Sequence, residues 1–173
     1  LGDVYKRQYY FLGEKMFTTK SGRELTYFGR EYTADIRRAD GKQHIIATVD
    51  DLFELLLKVW CRDTAYPSCQ KDYIQENDPT YGQCAISAML VYDMFGGTIH
   101  RIRVSGGGTH YFNQINGHYI DLTKDQFDLY DLPVLYEPNE EMPREYCGKN
   151  SDTRNRYHLL LHLLRAQLAA NMH

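Results

Sequence analysis

The pattern of apolar positions along the chain predicts three helices. Between residues 52 and 60 the apolar side chains recur at helical spacing. From residue 83 to residue 95 they occur on almost every side, which is typical of a helix that is buried all round. A third, amphipathic helix is predicted from about residue 153 to residue 170.

Alternating apolar and polar residues predict strands in the second half of the chain. Residues 98–104 alternate, and the glycine-rich stretch after them breaks the pattern. Asn116-Gly117 then separates two further strand-like runs, and this pair is a strong signal for a two-residue hairpin turn. The mixture of helices and antiparallel strands indicates an α+β fold, with a buried helix packed on an antiparallel sheet.

The remaining segments carry weaker patterns. Residues 9–49 hold several short runs of strand-forming residues, and we expect a β-rich N-terminal segment there. Residues 61–81 are predicted to form a long loop that leads directly into the buried helix. Residues 124–150 are rich in proline and acidic residues, and they are predicted to be irregular.

The length of 173 residues fits one domain. Residues 1–8 contain neither an initiating methionine nor the apolar run of a signal peptide, and they resemble translated adapter sequence. We therefore interpret them as a non-native or disordered leader. Residues 9–173 are expected to form a single catalytic-type domain, with a β-rich extension over 9–50 and a core over 51–173.

Charge and composition narrow the partners that we expect. The net charge of −3 gives no basic surface for nucleic acid, and no apolar run approaches the roughly 20 residues that span a membrane. No glycine-rich phosphate loop or dinucleotide motif is present, so we expect no cofactor. The four cysteines contain no Cys-x-x-Cys pair, which favours reduced thiols and a cytoplasmic protein over a disulfide scaffold.

Candidate chemistry begins at Cys84, which follows Gly82-Gln83 at the predicted start of the buried helix. A thiol needs a positive local potential and a base to become a nucleophile, and the first turn of a helix favours an anion. Gly82 permits a tight turn there, and Gln83 is placed to donate to an oxyanion. The alternative interpretation of Cys84 is a small cysteine of the hydrophobic core.

His110 and Asp121 are the candidate base and orienting carboxylate. If Asn116-Gly117 is a two-residue turn, Phe112 faces Asp121, and His110 then projects from the same face of the hairpin as Asp121. A one-residue bulge would place the two on opposite faces, so this prediction depends on the turn. The alternatives are a structural histidine and an aspartate that caps the end of a strand.

Several short motifs resemble the YunG-like family of small bacterial proteins. They lie between about residues 58 and 165 and are Trp60-Cys-Arg-Asp-Thr64, Asn77-Asp-Pro79, Gly82-Gln-Cys84, Phe95-Gly-Gly97, His110-Tyr-Phe-Asn113, Ile120-Asp-Leu-Thr-Lys-Asp-Gln-Phe127 and Arg156-Tyr157. Phe112 stands where the family usually has tryptophan, which leaves the chemistry unaffected. The resemblance implies a papain-like or transglutaminase-like fold with Cys84 and His110 as a dyad and Asp121 as the third member.

These observations predict a cysteine hydrolase or acyltransferase that forms an acyl-enzyme from a peptide, protein or small amide, ester or thioester. Peptidase, amidase, deamidase and transglutaminase-like activities stay open, because they share that intermediate. Gln83, Asn77 and Asn113 are candidates for oxyanion or substrate contacts. One alternative is a non-catalytic module of the same fold that binds a peptide or protein. Another is a metal-dependent enzyme that uses Cys61, Cys69, Cys147 and the other histidines, although their irregular spacing predicts no metal site.

Overall fold

The computed structural model describes residues 15–106 and 108–173, so the predicted leader over 1–8 lies outside the described residues. The helices are α1 (Val49–Val59), α2 (Cys84–Phe95), α3 (Asp125–Asp128), α4 (Arg144–Cys147) and α5 (Ser151–Asn171). The strands are β1 (Phe17–Thr18), β2 (Glu24–Leu25), β3 (Thr98–Arg103), β4 (Thr109–Ile115), β5 (His118–Ile120) and β6 (Glu140–Met142). Short 3-10 helices cover Arg30–Tyr32, Arg62–Thr64 and Pro67–Asp72.

An antiparallel sheet in the order β5-β4-β3-β6 forms the base of the fold. Helix α2 packs against β4, and α5 lies against both α1 and α2. The main hydrophobic core joins α1, α2 and α5 to one face of the sheet. A smaller apolar cluster consists of Ile102, Phe112 and Tyr136. The prediction of an α+β fold with a buried α2 is confirmed. None of the described helices is long and apolar enough to cross a membrane.

The hairpin of β4 and β5 has the predicted register. Asn116 and Gly117 both have positive φ angles, 52° and 82°, as a tight two-residue turn requires. Ile115 then pairs with His118 and Asn113 with Ile120. The next position along the hairpin places Asp121 opposite Phe112, on the face of β4 that also carries His110.

The prediction of a β-rich N-terminal segment is wrong for most of the described residues. The strands described there are β1 and β2, each two residues long, with one isolated bridge from Phe28 to Asp121, and residues 41–48 contain no strand. Single apolar side chains, such as those of Tyr27 and Ile36, pack into the main core and attach this segment to it. The segment is therefore held in place without the alternating apolar face that a longer strand would provide. Residues 124–150 also differ from the expectation, because β6 joins the edge of the sheet beside β3.

The N-terminal segment reaches the end of the hairpin through Phe28 and Gly29. The backbone N–H and carbonyl of Phe28 each bond to the backbone of Asp121 at 3.1 Å. Gly29 has φ 82°, and a Cβ at this position would lie 2.1 Å from the carbonyl oxygen of Tyr119. Only glycine therefore lets the segment lie this close to β5.

We expect Gly29→Ala to destabilise the protein by at least about 2 kcal/mol more than Gly22→Ala, because only the first change adds a steric clash. Gly22 is a matched control, since its φ is 85° and nothing lies within 4 Å of the position that a Cβ would occupy there. The positive φ angle alone should lower the free energy of unfolding of Gly22→Ala by on the order of 1 kcal/mol, because alanine rarely adopts this backbone conformation. Urea unfolding measures both values, and equal losses would contradict the close approach of Gly29 to β5.

Candidate functional site

Cys84 is the first residue of α2, and Gln83 is the N-cap. The first intrahelical bond runs from the N–H of Ser87 to the carbonyl of Gln83, so the N–H groups of the first turn lack partners within the helix. Gly82 makes the turn into the helix with φ 72°, and a Cβ there would lie 2.8 Å from the Cβ of Cys69. The half-buried Cys84 thiol thus lies where the helix dipole favours an anion.

The side chains of His110 and Asp121 form a buried pair, each only 1% exposed. Nε2 of His110 donates to Oδ2 of Asp121 over 2.6 Å. A carboxylate accepts, so this bond assigns the proton to Nε2 and leaves Nδ1 to exchange a proton with another group. Nδ1 has no hydrogen-bond partner among the described residues, and the Cys84 thiol interacts with this imidazole.

Asp121 has further donors that hold its side chain in place. Oδ1 accepts from the backbone N–H of Thr123 at 3.0 Å and from its hydroxyl at 3.2 Å. Oδ2 accepts from the hydroxyl of Tyr136 at 2.9 Å. The ring of Tyr136 stacks on Phe28 with centroids 4.4 Å apart. The carboxylate therefore has a full set of acceptor contacts in a dry environment, which fixes the orientation of His110.

The pKa shifts of the three groups favour a thiolate beside an imidazolium. Burial acts to raise the pKa of Cys84, but hydrogen bonding and charge from His110, with the N–H of Tyr111, lower it overall. Burial acts to lower the pKa of His110, yet the charge of Asp121 raises it well above its ordinary value. Burial likewise opposes ionisation of Asp121, but His110 holds its pKa below the usual range.

The segment that follows Asp121 supports the site from two sides. Phe127 sets the edge of its ring against the His110 imidazole, with centroids 4.7 Å apart and planes 82° apart. Gln126 accepts the N–H of Gly82 through Oε1 at 3.4 Å and donates from Nε2 to the carbonyl of Thr123 at 2.9 Å. One short stretch of sequence thus contacts both the histidine and the turn before Cys84.

The other predicted contact residues have different surroundings. Gln83 is fully buried, its Nε2 donates to the carbonyl of Cys61 at 3.0 Å, and its Oε1 has no partner among the described residues. Asn113 donates from Nδ2 to the carbonyl of Ala88 at 2.9 Å, which ties β4 to the middle of α2. Asn77 is exposed, and its carbonyl accepts from the guanidinium of Arg23.

Sequence reasoning missed Tyr136, Thr123, Phe127 and Phe28 as supports of the site. Thr123 and Phe127 lie in the motif that was recognised around Asp121, so the motif itself was the signal for them. Tyr136 lies in a segment without periodicity, and only its contact with Asp121 shows its importance.

The remaining cysteines and histidines do not form a metal site in the described parts of the chain. No three His, Cys, Asp or Glu side chains among residues 15–106 and 108–173 are placed to hold an ion. Cys61, Cys69 and Cys147 are free thiols. Burial raises the pKa of Cys147, in contrast to Cys84.

The chain belongs to the YunG protein family, whose model matches residues 48–169. It is similar to an uncharacterized YunG protein of Bacillus subtilis (strain 168), with 40% identity over 62 residues. That match covers 36% of this chain and spans half the length of the relative. No solved structure matches the chain.

We expect Cys84 to alkylate with an apparent pKa below the roughly 8.5 of a free thiol. His110→Gln should raise that pKa and slow iodoacetamide labelling at pH 7 by about tenfold or more, because the thiolate fraction falls. Peptide mass spectrometry measures each thiol separately, and Cys147 in the same sample is the internal control. A Cys84 pKa that is ordinary in the native protein, or unchanged in the variant, would contradict the assignment.

The His110–Asp121 pair also predicts how stability depends on pH. The raised pKa of His110 stabilises the fold fully below its unfolded value of about 6.5, and this contribution is lost as pH rises through the folded value. The lowered pKa of Asp121 stabilises the fold above about 3.9, and this is lost as pH falls through the folded value. The pair therefore stabilises most between about pH 4 and pH 6.5.

Asp121→Asn should flatten the loss of stability between about pH 6.5 and the folded His110 pKa of about 10, because His110 then loses the charge that raises its pKa. Asp40→Asn is the matched control, since Asp40 forms a solvent-exposed pair with His44 at 2.8 Å. Urea unfolding across the pH range measures both profiles. Identical slopes for the two variants would show that the buried pair does not hold His110 protonated.

Proposed function

We propose that the protein is a cysteine-nucleophile hydrolase or acyltransferase that acts on an amide, ester or thioester through a covalent acyl-enzyme. The observation that carries this proposal is the buried His110–Asp121 pair, whose free Nδ1 serves the Cys84 thiol at the start of a helix. A cysteine helix packed on an antiparallel sheet that carries histidine and aspartate also supports a papain-like or transglutaminase-like arrangement. Membership of the YunG family is compatible with this activity but assigns none.

In the first half-reaction the Cys84 sulfur attacks the substrate carbonyl carbon, and a carbon–sulfur bond forms. The proton held by the His110 imidazolium passes to the leaving amine, alcohol or thiol as its bond to the carbonyl carbon breaks. Asp121 keeps the imidazole in the orientation that serves both transfers, and its charge stabilises the imidazolium. The product of this step is an acyl thioester on Cys84.

In the second half-reaction His110 takes a proton from water or from an acceptor amine, which attacks the carbonyl carbon of the thioester. The carbon–sulfur bond then breaks, Cys84 leaves as a thiolate, and the proton on His110 restores the imidazolium. Water gives hydrolysis and an amine gives transfer, so access of the two nucleophiles decides between these outcomes. The N–H of Cys84, in the first turn of α2, is the best placed oxyanion donor. The backbone N–H of Gln83 already donates to Thr80, and its side-chain amide donates one N–H to the carbonyl of Cys61, so the second amide N–H is the donor left for this role.

The proposal predicts that Cys84 forms an acyl adduct with small p-nitrophenyl esters or acyl thioesters. Intact-mass and peptide mass spectrometry should locate the adduct on Cys84 in the native protein. His110→Ala and Asp121→Asn should slow acylation by about 10²-fold or more, since the first removes the general acid and the charge that holds Cys84 as a thiolate, and the second removes the carboxylate that orients and charges His110. Adding an amine during the decay of the adduct separates transfer from hydrolysis.

Cys84→Ala and Cys147→Ser are the paired controls, because they remove the proposed nucleophile and a buried thiol with a raised pKa. Only Cys84→Ala should abolish the adduct. The proposal fails if Cys84 acylates no faster than the other thiols, or if His110→Ala leaves its acylation rate unchanged.

A further inference from the structure

A cavity of about 290 Å³ opens beside the candidate site, and we call it the Tyr130 pocket. Six residues line it: Asp72, Tyr81, Gln126, Phe127, Tyr130 and Leu132. Its walls are therefore mainly aromatic and apolar, with one ionisable carboxylate. This combination of a concave apolar surface and few polar groups is typical of a small-molecule subsite.

The Tyr130 pocket adjoins the reactive groups through three of its walls. Phe127 contacts the His110 ring with its own ring, at a centroid distance of 4.7 Å. Gln126 accepts the N–H of Gly82, and Tyr81 lies three residues before Cys84 on the same turn. Phe127 and Gln126 thus separate the pocket from His110 and from the turn before Cys84 by one residue, so a substrate that reacts at the thiol can extend into it.

The charges around the Tyr130 pocket are negative. Asp72 and Tyr130 are close enough to Tyr81 to help raise its pKa, after burial and Cys69. Among the described residues, no lysine or arginine lines the pocket. The nearby Arg23 is held in a two-pronged ion pair with Asp125, with N–O distances of 2.7 and 2.8 Å.

A buried carboxyl group behind the wall adds to this negative character. Asp78 interacts with the hydroxyl of Tyr130 and is only 3% exposed. Its Oδ2 has no hydrogen-bond partner among the described residues. Burial, together with the charge of Asp125, raises the pKa of Asp78 to about 6, so it is largely ionised at neutral pH.

We propose that the Tyr130 pocket binds a cationic group of the substrate, such as an alkyl ammonium or a guanidinium, next to the bond that Cys84 attacks. Tyrosine and phenylalanine rings attract a cation through their faces, and the Asp72 carboxylate completes its coordination. This inference rests on the proposed function of the same site and adds the substrate class. The substrate is a basic peptide or an amide or ester that carries an amine.

Charged thiol reagents test this inference without a known substrate. The trimethylammonium-ethyl and sulfonato-ethyl methanethiosulfonates transfer groups of similar size and opposite charge to a thiolate. Peptide mass spectrometry gives the ratio of their rate constants at Cys84. Asp72→Asn should lower the ratio of cationic to anionic rates by at least about threefold, because one negative charge leaves the pocket.

Two further variants make the test specific to the Tyr130 pocket. Asp35→Asn removes an exposed carboxylate from a segment that bonds, through Ala39, to Met94 at the far end of α2, and it should leave the ratio unchanged. Tyr130→Leu should slow the cationic reagent while the anionic rate is maintained, because an aromatic face is lost. The inference is overturned if Asp72→Asn behaves like Asp35→Asn, or if Tyr130→Leu slows neither reagent selectively.

Labelling with neutral iodoacetamide separates this inference from the proposed function. If Cys84 reacts rapidly with iodoacetamide but shows no change of charge preference in Asp72→Asn, the activated thiol stands and the cationic substrate class is wrong. If Cys84 is inert towards iodoacetamide in the native protein, the proposed function itself fails, and the inference fails with it.

Discussion

The buried carboxylate of Asp121 is the group on which the arrangement of the site depends. A carboxylate removed from water is costly unless donors replace its hydration, and here His110, Thr123 and Tyr136 supply four hydrogen bonds. Its backbone also pairs with Phe28. The hairpin, the segment after it and the N-terminal segment therefore meet at one residue. Loss of the carboxylate would leave His110, Thr123 and Tyr136 without their shared acceptor, while the backbone bridge to Phe28 would remain.

The same carboxylate explains why Cys84 and His110 influence each other. An imidazolium beside Asp121 places a positive charge in a site from which water is largely excluded, and the adjoining thiol can then lose its proton despite burial. The helix dipole of α2 acts in the same direction. Nδ1 of His110 makes no competing hydrogen bond among the described residues. The imidazole can therefore exchange a proton with Cys84 without first breaking another contact.

The parts of this arrangement that were predictable from sequence are those set by local geometry. The turn at Asn116-Gly117 determines the register of the hairpin, and that register alone places His110 and Asp121 on one face. The apolar run after Gln83 similarly predicts a buried helix. The roles of Tyr136 and Phe28 were not predictable, because both depend on contacts between segments that are distant in sequence and carry no periodic pattern.

The N-terminal segment shows most directly why a shared family core does not describe the whole site. The family match begins at residue 48, yet Phe28 lies before it and forms both the backbone bridge to Asp121 and the ring contact with Tyr136. Arg23, also before it, neutralises Asp125 beside the Tyr130 pocket. If Arg23 were unpaired, its charge would oppose a cationic substrate; its ion pair with Asp125 leaves the carboxylates of Asp72 and Asp78 to set the local potential. The segment outside the family match thus contributes to the orientation of the histidine and to the charge selectivity that we infer.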